Sequence, residues 1–233
     1  MLAKETSTAD RVADRAFLTR SQEDYLKQIF LLGEGGGKVS TQRIADRLDV
    51  RPASVTGMVQ RLAELGLVRH EPYRGVRLTE GGRRVALQML RHHRLIETFL
   101  ARVLGYGWDE VHDEAERLEH VISSRFEERI AATLGNPTHD PHGDPIPDAE
   151  LKMPPATDET SLGRMTVGAS GTLIRVGVQD PESLNLLSRL GVVPGVQLEV
   201  VGHGPDAVRV RVNDDRFPLQ RELADELWLQ EDE

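Results

Sequence analysis

The stretch STQRIADRLDVRPASVTGMVQRLAELG, residues 40–66, carries two helical patterns with almost no chain between them, and few folds tolerate that. In the first pattern Ile44, Ala45 and Leu48 share one side; in the second Val55, Met58, Val59 and Leu62 make the inner stripe. Pro52 suits a first helical turn, where its missing N–H has no partner to lose, and Gly66 suits the stop. The following LVRHEPYRGVRLT alternates like a short hairpin around a PYRG turn. Two helices joined by a tight turn and followed by a hairpin predict a winged helix-turn-helix, whose second helix enters a DNA major groove.

Around this head the periodicity predicts further elements. SQEDYLKQIFLLGE reads as a helix with Tyr25, Leu26, Ile29, Phe30 and Leu32 inward, Ser21 as its N-cap, and GEGGGK as the break after it. Thr79 caps a long helix to about Leu104, and WDEVHDEAERLEHVISSRFEERIAATLG supplies one or two more, ending at Gly135. Leu87, Leu90, Leu95, Phe99, Leu118, Val121, Ile122, Phe126 and Ile130 exceed what packing on a small head uses, which points to a dimer interface. Residues 136–161 hold six prolines and little periodic pattern, and read as a linker. Beyond them GTLIRVGV, VQLEVVG and AVRVRV read as strands, DPESLNLLSRLG as a short helix with Asp180 at the cap and Pro181 behind it, and GVVPG as a turn, together a small β-barrel. The expected fold is mainly α with small β: a winged helix-turn-helix over 1–86, a helical dimerisation domain over 87–150, a linker over 151–161 and a β-domain over 162–233.

A net charge of −9 argues against a nucleic-acid partner until it is divided along the chain. Residues 1–86 hold 15 Lys and Arg against 11 Asp and Glu, whereas residues 141–233 hold 8 against 17. Basic character is concentrated on the predicted DNA-reading head. The chain has no cysteine, which excludes disulfides, thiolate metal sites and cysteine nucleophiles and fits a reducing cytoplasm. No run reaches membrane-spanning length, and the charged N-terminus lacks the apolar core of a signal peptide. On the reading helix the candidates for DNA contact are Arg51, Ser54, Thr56, Gln60 and Arg61, with Arg74 and Arg77 of the hairpin placed to hold phosphates. Each alone fits a solvated surface equally well.

In HDEAERLEH, residues 112–120, the stripe that normally faces a core carries His112, Glu116, Glu119 and His120 instead. On one continuous helix the four fall within a sector of about 100°. His93 and Glu97 form a second pair one turn apart, and Asp24 on the first helix is a third source of donors. Asp24, three residues after Ser21, also fits a capping box, and Glu97 and Glu119 also fit surface carboxylates beside Arg94 or Arg117. Imidazoles interleaved with glutamates favour a first-row metal. A hydrolytic zinc site needs H-E-x-x-H, which this chain does not contain.

Taken in order, EDYLKQIF, VRPASVTGMVQRLAELGLV, the PYRG wing, HHRLIETFL and VHDEAERLEHV resemble the DtxR/MntR family of metal-dependent transcriptional repressors. The likeness covers residues 20–150, and the C-terminal segment resembles the SH3-like, FeoA-type domain of the longer members. The resemblance implies a primary metal site on Asp24, Glu116, Glu119 and His120, and an ancillary one on His93, Glu97 and His112, completed by Gln179 and Glu182. Iron-sensing members place Met and Cys where this chain has Asp24 and Glu116, whereas manganese-sensing members place carboxylates, so Mn(II) is the expected effector. Fe(II) is the alternative, with Co(II), Cd(II) or Zn(II) as surrogates. Lys27 stands where short manganese sensors carry a glutamate that supports a paired centre, and its cation opposes a second ion there.

The resemblance therefore implies a cytoplasmic regulator that is not an enzyme, and that binds palindromic operator DNA as a metal-activated homodimer to repress metal-uptake genes. No membrane and no small-molecule substrate enters this expectation. The competing readings are a metal-independent winged-helix regulator and a metal-dependent hydrolase.

Overall fold

The computed structural model describes residues 18–33, 36–71 and 74–232. The polar N-terminal arm, Glu34 and Gly35 of the GEGGGK break, and Pro72 and Tyr73 of the PYRG turn lie outside the described residues. Two compact units are present, residues 18–92 with 149–152, and residues 93–148 with 153–232. Among the described residues no helix is long and apolar enough to cross a membrane.

In the first unit, α1 (Arg20–Leu32) is capped by Thr19, not by Ser21. The Thr19 side chain accepts from the Gln22 N–H at 3.4 Å, and Gln22 Oε1 accepts from the Thr19 N–H at 2.9 Å. This reciprocal box satisfies two otherwise orphaned donors, and it forms at Thr19 because that backbone is extended while Ser21 is already helical. The capping role considered for Asp24 falls with it. α2 (Thr41–Leu48) starts at Ser40, whose hydroxyl accepts from the Arg43 N–H at 3.2 Å, and ends at Asp49 in the left-handed region. After Val50 and Arg51, α3 (Pro52–Glu64) begins with proline in its first turn, burying Val55, Val59 and Leu62 completely while Met58 stays half-buried. β1 (Val68–Glu71) and β2 (Gly75–Leu78) form the wing, and Val39 adds a two-bond bridge to Val76. α4 (Glu80–Leu104) follows, with Thr79 accepting from the Gly82 N–H at 3.2 Å.

The second unit holds the later part of α4 with α5 (Val111–Leu118), α6 (Ser124–Thr133) and a six-stranded antiparallel sheet. Leu95, Ile96, Leu100, Val111, Ala115, Ile130, Ala131 and Ile146 form the helical core. The expected dimer set therefore divides: Leu95 and Ile130 are consumed inside this core, whereas Val121 and Phe126 remain 69% and 50% exposed. The sheet comprises β3 (Thr160–Ser161), β4 (Ser170–Val176), β5 (Gln197–His203), β6 (Ala207–Val212), β7 (Asp215–Gln220) and β8 (Leu227–Glu231), in the order β3-β8-β4-β5-β6-β7. α7 (Pro181–Arg189), capped by Asp180, and α8 (Arg221–Asp225) complete it. β3, β7 and β8 escape the sequence pattern. β7 buries only Leu219 and carries Pro218, which an edge strand accommodates.

The proline-rich residues are not linker throughout. Residues 138–146 form a packed loop in which the Ile146 N–H donates to the Thr138 carbonyl at 2.8 Å and the Asp140 N–H to the Asp144 carbonyl at 3.0 Å. Asp140, His142 and Ile146 are buried, and the Val176 N–H of β4 donates to the His142 carbonyl at 2.8 Å. At Gly143 (φ 87°) an added Cβ would lie 1.9 Å from the Ile174 carbonyl oxygen, so the loop lies directly on the strand.

Gly82 is buried with its Cα against the chain at Leu67, where an added Cβ would sit 2.0 Å from the carbonyl oxygen. Gly82→Ala is expected to lower unfolding free energy by about 1–3 kcal/mol in urea titrations. An unchanged midpoint would mean that α4 can shift off the wing without cost. On the wing, the Lys38 ammonium donates to Glu71 at 2.6 Å, and this bond, with the Lys38 and Arg77 charges, outweighs slight burial and lowers the Glu71 carboxyl. A lowered carboxyl supports the fold above its unfolded value and ceases to do so as pH falls through the folded one. Lys38→Met is therefore expected to raise the Glu71 midpoint in an NMR titration, and a static midpoint would remove Lys38 as the cause.

Candidate metal centre

α4 presents His93, Arg94 and Glu97 into the second unit, and α5 brings His112 and Glu116. The stripe read along residues 112–120 does not stay on one helix. α5 ends at Leu118, Glu119 is its C-cap, and His120 lies in the turn before Ser123 caps α6. The Ser123 hydroxyl accepts the Phe126 N–H at 3.3 Å, a start signal that competes with continuation of α5.

The turn still brings donors together. His93 Nδ1 lies 2.5 Å from Glu119 Oε2 and 3.9 Å from Glu116 Oε1, and Glu119 Oε1 lies 3.4 Å from His120 Nε2. On the other edge of the same ring, His93 Nε2 lies 3.0 Å from Glu97 Oε1 and 3.1 Å from His112 Nδ1. Glu97 and Glu119 are 1% and 0% exposed, which excludes the surface-carboxylate reading for both. Arg117 reaches Glu114 at 3.1 Å, and Arg94 reaches the loop 138–146.

That loop supplies two residues the sequence did not suggest. Asp140 and His142 join Glu97, with donor atoms of the three within 4.8 Å of one another. His142 Nε2 donates to the Trp108 carbonyl at 2.8 Å, because a carbonyl only accepts, and its Nδ1 lies on the side of Glu97 Oε2, 3.9 Å away. The Trp108 ring stacks on His142 at 5.6 Å. The only sequence signal was a histidine between two prolines in a stretch without period, which is weak. His93, Glu97 and His112 make a further group within the same limit, as do His93, Glu116 and Glu119.

Electrostatics separate the two buried acids. Burial opposes the charge of Glu97 most strongly, but the His93 charge, hydrogen bonds from His112 and His93, and the His142 charge together hold its carboxyl well below the usual range. For Asp140 burial wins: it raises the carboxyl well above its usual range, aided by the charges of Glu97 and Asp144, against Arg94 and an N–H of Asp144. Arg94 stands 3.6 Å from Asp140 but donates at 2.5 Å to the Pro145 carbonyl and lies 3.4 Å from Asp144, so its charge is shared.

Such a donor set, carboxylate oxygens and imidazole nitrogens without sulfur, fits a divalent first-row ion. Buried carboxylates crowded near one another need a compensating cation. Asp24 is half-buried on α1 in the first unit. Glu182 is exposed in the first turn of α7 and, among the described residues, joins no close group of His, Asp and Glu; Gln179 is half-buried just ahead of the Asp180 cap. Arg51, Ser54, Thr56, Gln60 and Arg61 are exposed on α3 and its cap, Arg74 is exposed on the wing, and Arg77 is half-buried.

Comparison with known proteins gives three family matches. The profile described as iron dependent repressor, N-terminal DNA binding domain, covers residues 17–76; iron dependent repressor, metal binding and dimerisation domain, covers 79–148; and the FeoA domain covers 160–231. The iron-dependent repressor IdeR of Mycobacterium tuberculosis is 39% identical over 194 residues, covering 78% of this chain and 84% of the relative. The diphtheria toxin repressor of Corynebacterium efficiens is 33% identical over 193 residues, covering 79% and 84%. Among solved structures, a manganese-dependent transcriptional repressor in complex with manganese has 39% identity and a TM-score of 0.84, covering 90% of this chain and 99% of that one. The manganese regulator SloR has 30% identity and a TM-score of 0.76, covering 92% and 100%.

Arg94 ties α4 to the loop that carries Asp140 and His142. Arg94→Met is expected to cost about 3 kcal/mol, the usual result of removing one partner from a buried charged cluster. It should also speed hydrogen exchange at the Ile146 amide. Retained protection there would show that the loop holds without the guanidinium.

Proposed function

The chain belongs to the iron-dependent repressor family of metal-dependent transcriptional repressors, and on that footing we propose that it is a manganese-responsive repressor acting as a homodimer on palindromic operator DNA. The observation that carries the choice of metal is the donor chemistry. Asp24, Glu116, Glu119 and His120, the first-site residues implied by the family resemblance, offer three carboxylates and an imidazole with no sulfur. Glu97 with Asp140 and His142, or with His112 and His93, is the second place for an ion. The relatives named iron-dependent keep Fe(II) as the alternative effector, since the same donors accept it less selectively.

When bound, a divalent ion supplies the positive charge that offsets crowded carboxylates. The residues do the rest. Glu116 and Glu119 sit at and just past the end of α5, and like charges there repel until compensated. Asp24 is carried by α1, the helix ahead of the two reading helices. On α3 the exposed Ser54, Thr56, Gln60 and Arg61 lie opposite the buried Val55, Val59 and Leu62, the arrangement a groove-reading helix requires. The Thr56 hydroxyl donates back to the Pro52 carbonyl at 3.1 Å, and its methyl group is the part of the side chain suited to an apolar contact with thymine. Arg74 and Arg77 hold the backbone beside the groove. Two heads in a dimer then address half-sites roughly 34 Å apart.

Gel-shift titration on a palindromic operator selected from a random pool tests this. Chelation is expected to weaken binding by about 10- to 100-fold, and Mn(II) to restore it. Glu119→Ala combined with His120→Ala should abolish that restoration while leaving weak, metal-independent binding. Equal affinity with chelator and with Mn(II) would falsify the switch.

A further inference from the structure

Gly57 lies well inside α3, and nothing in the described chain requires a glycine there. Its φ is not in the left-handed region, unlike that of Gly66 (φ 73°), where the segment stops. An added Cβ would meet nothing within 4 Å outside its own helix backbone and chain neighbours, whereas at Gly82 it would meet the Leu67 carbonyl oxygen at 2.0 Å. Inside a helix, glycine is less favourable than alanine because its free chain has more conformations to lose. The first unit carries this cost with no return among its own described residues. The direction of the position supplies a reason. Taking about 100° per residue, Gly57 lies roughly 190° around α3 from the centre of the buried stripe of Val55, Val59 and Leu62. It faces away from the core, with exposed Ala53 one turn before it and exposed Gln60 and Arg61 one turn after.

Resting on the reading of α3 as the helix that enters the major groove, we propose that Gly57 is a specificity-determining position: the space left by its missing side chain receives the C5-methyl group of one thymine in each half-site. In a helix interior the N–H and C=O groups are committed along the axis to residues four positions away. What Gly57 turns outward is therefore an apolar Cα surface, with no donor or acceptor to offer a base. Among the groups that base pairs present in the major groove, the thymine methyl is the apolar one. A Cβ at Gly57 would fill the volume that this methyl needs, one methyl on the protein against one on the base. Without it the backbone of α3 approaches the base edges closely, and the long side chains of Gln60 and Arg61, one turn on, are left to address polar edges beside that thymine.

The test adds a methyl to the protein and removes one from the DNA. In urea titrations Gly57→Ala should unfold at the same or a higher midpoint than the wild type, since alanine favours helix and the space is open. A lower midpoint would give the glycine a packing role inside the chain and overturn the proposal. Gel shifts of the full chain with Mn(II) then use the selected operator and a set in which one thymine at a time, in both half-sites, is replaced by deoxyuridine, which lacks the C5-methyl group. Gly57→Ala should bind the thymine operator about 10-fold more weakly than the wild type, the scale of one mismatched base pair, while its affinity for non-specific duplex stays within about 2-fold. On one member of the deoxyuridine set it should recover to within about 3-fold of the wild type on thymine. Undiminished binding of the variant to the thymine operator, or a loss that no deoxyuridine restores, refutes the thymine contact while wild-type operator selection stands. A wild type that selects no operator at all removes the reading of α3 and the proposal together.

Discussion

Placing the carboxylates of Glu97 and Glu119 out of reach of water creates a cost that the centre of the second unit is organised to offset. His93 lies between them, His112 and His142 approach Glu97 from two other elements, and His120 borders Glu119. Four separate segments, α4, α5, the turn after it and the loop 138–146, are thereby required to meet around two acids. The apolar cluster from Leu95 to Ile146 supplies the rigidity that keeps the acids at fixed distances. Charge sets where these segments converge, and packing holds them there.

The sheet domain contributes to the same centre without offering a close acid of its own among the described residues. Its strand β4 fixes the loop through the Val176 amide, and Trp108, which packs on the sheet core, covers His142. Asn185 of α7 donates to Asp109 at 2.6 Å, beside Trp108 in sequence. A domain whose strands resemble an independent module therefore acts as a clamp on a histidine next to the acids. The loop it clamps carries proline at 141 and 145, which removes backbone donors and lowers the entropy lost on ordering.

The reading head was largely legible from residues 40–78, because helix and hairpin periods alternate there over short, well-punctuated segments. Its helix caps were less so: Ser21 and Thr19 are both competent, and only the backbone angle at Thr19 selects between them. The candidate donors on α4 and α5 stood out as polar residues in an apolar rhythm. Asp140 and His142 did not, since a proline-rich stretch has no rhythm against which a polar residue can be out of place.

What the sequence determined by itself is the set of local choices: the two reading helices, the wing, the length of α4, the acidic and imidazole donors and the absence of sulfur among them. These follow from side-chain period and chemistry, which act over a few residues. Tertiary structure alone decided that Glu97 and Glu119 lose their water, that the loop 138–146 is packed, and that one ring of His93 meets both acids. Those outcomes depend on contacts between residues far apart in the chain, where burial changes what a carboxylate or an imidazole can do.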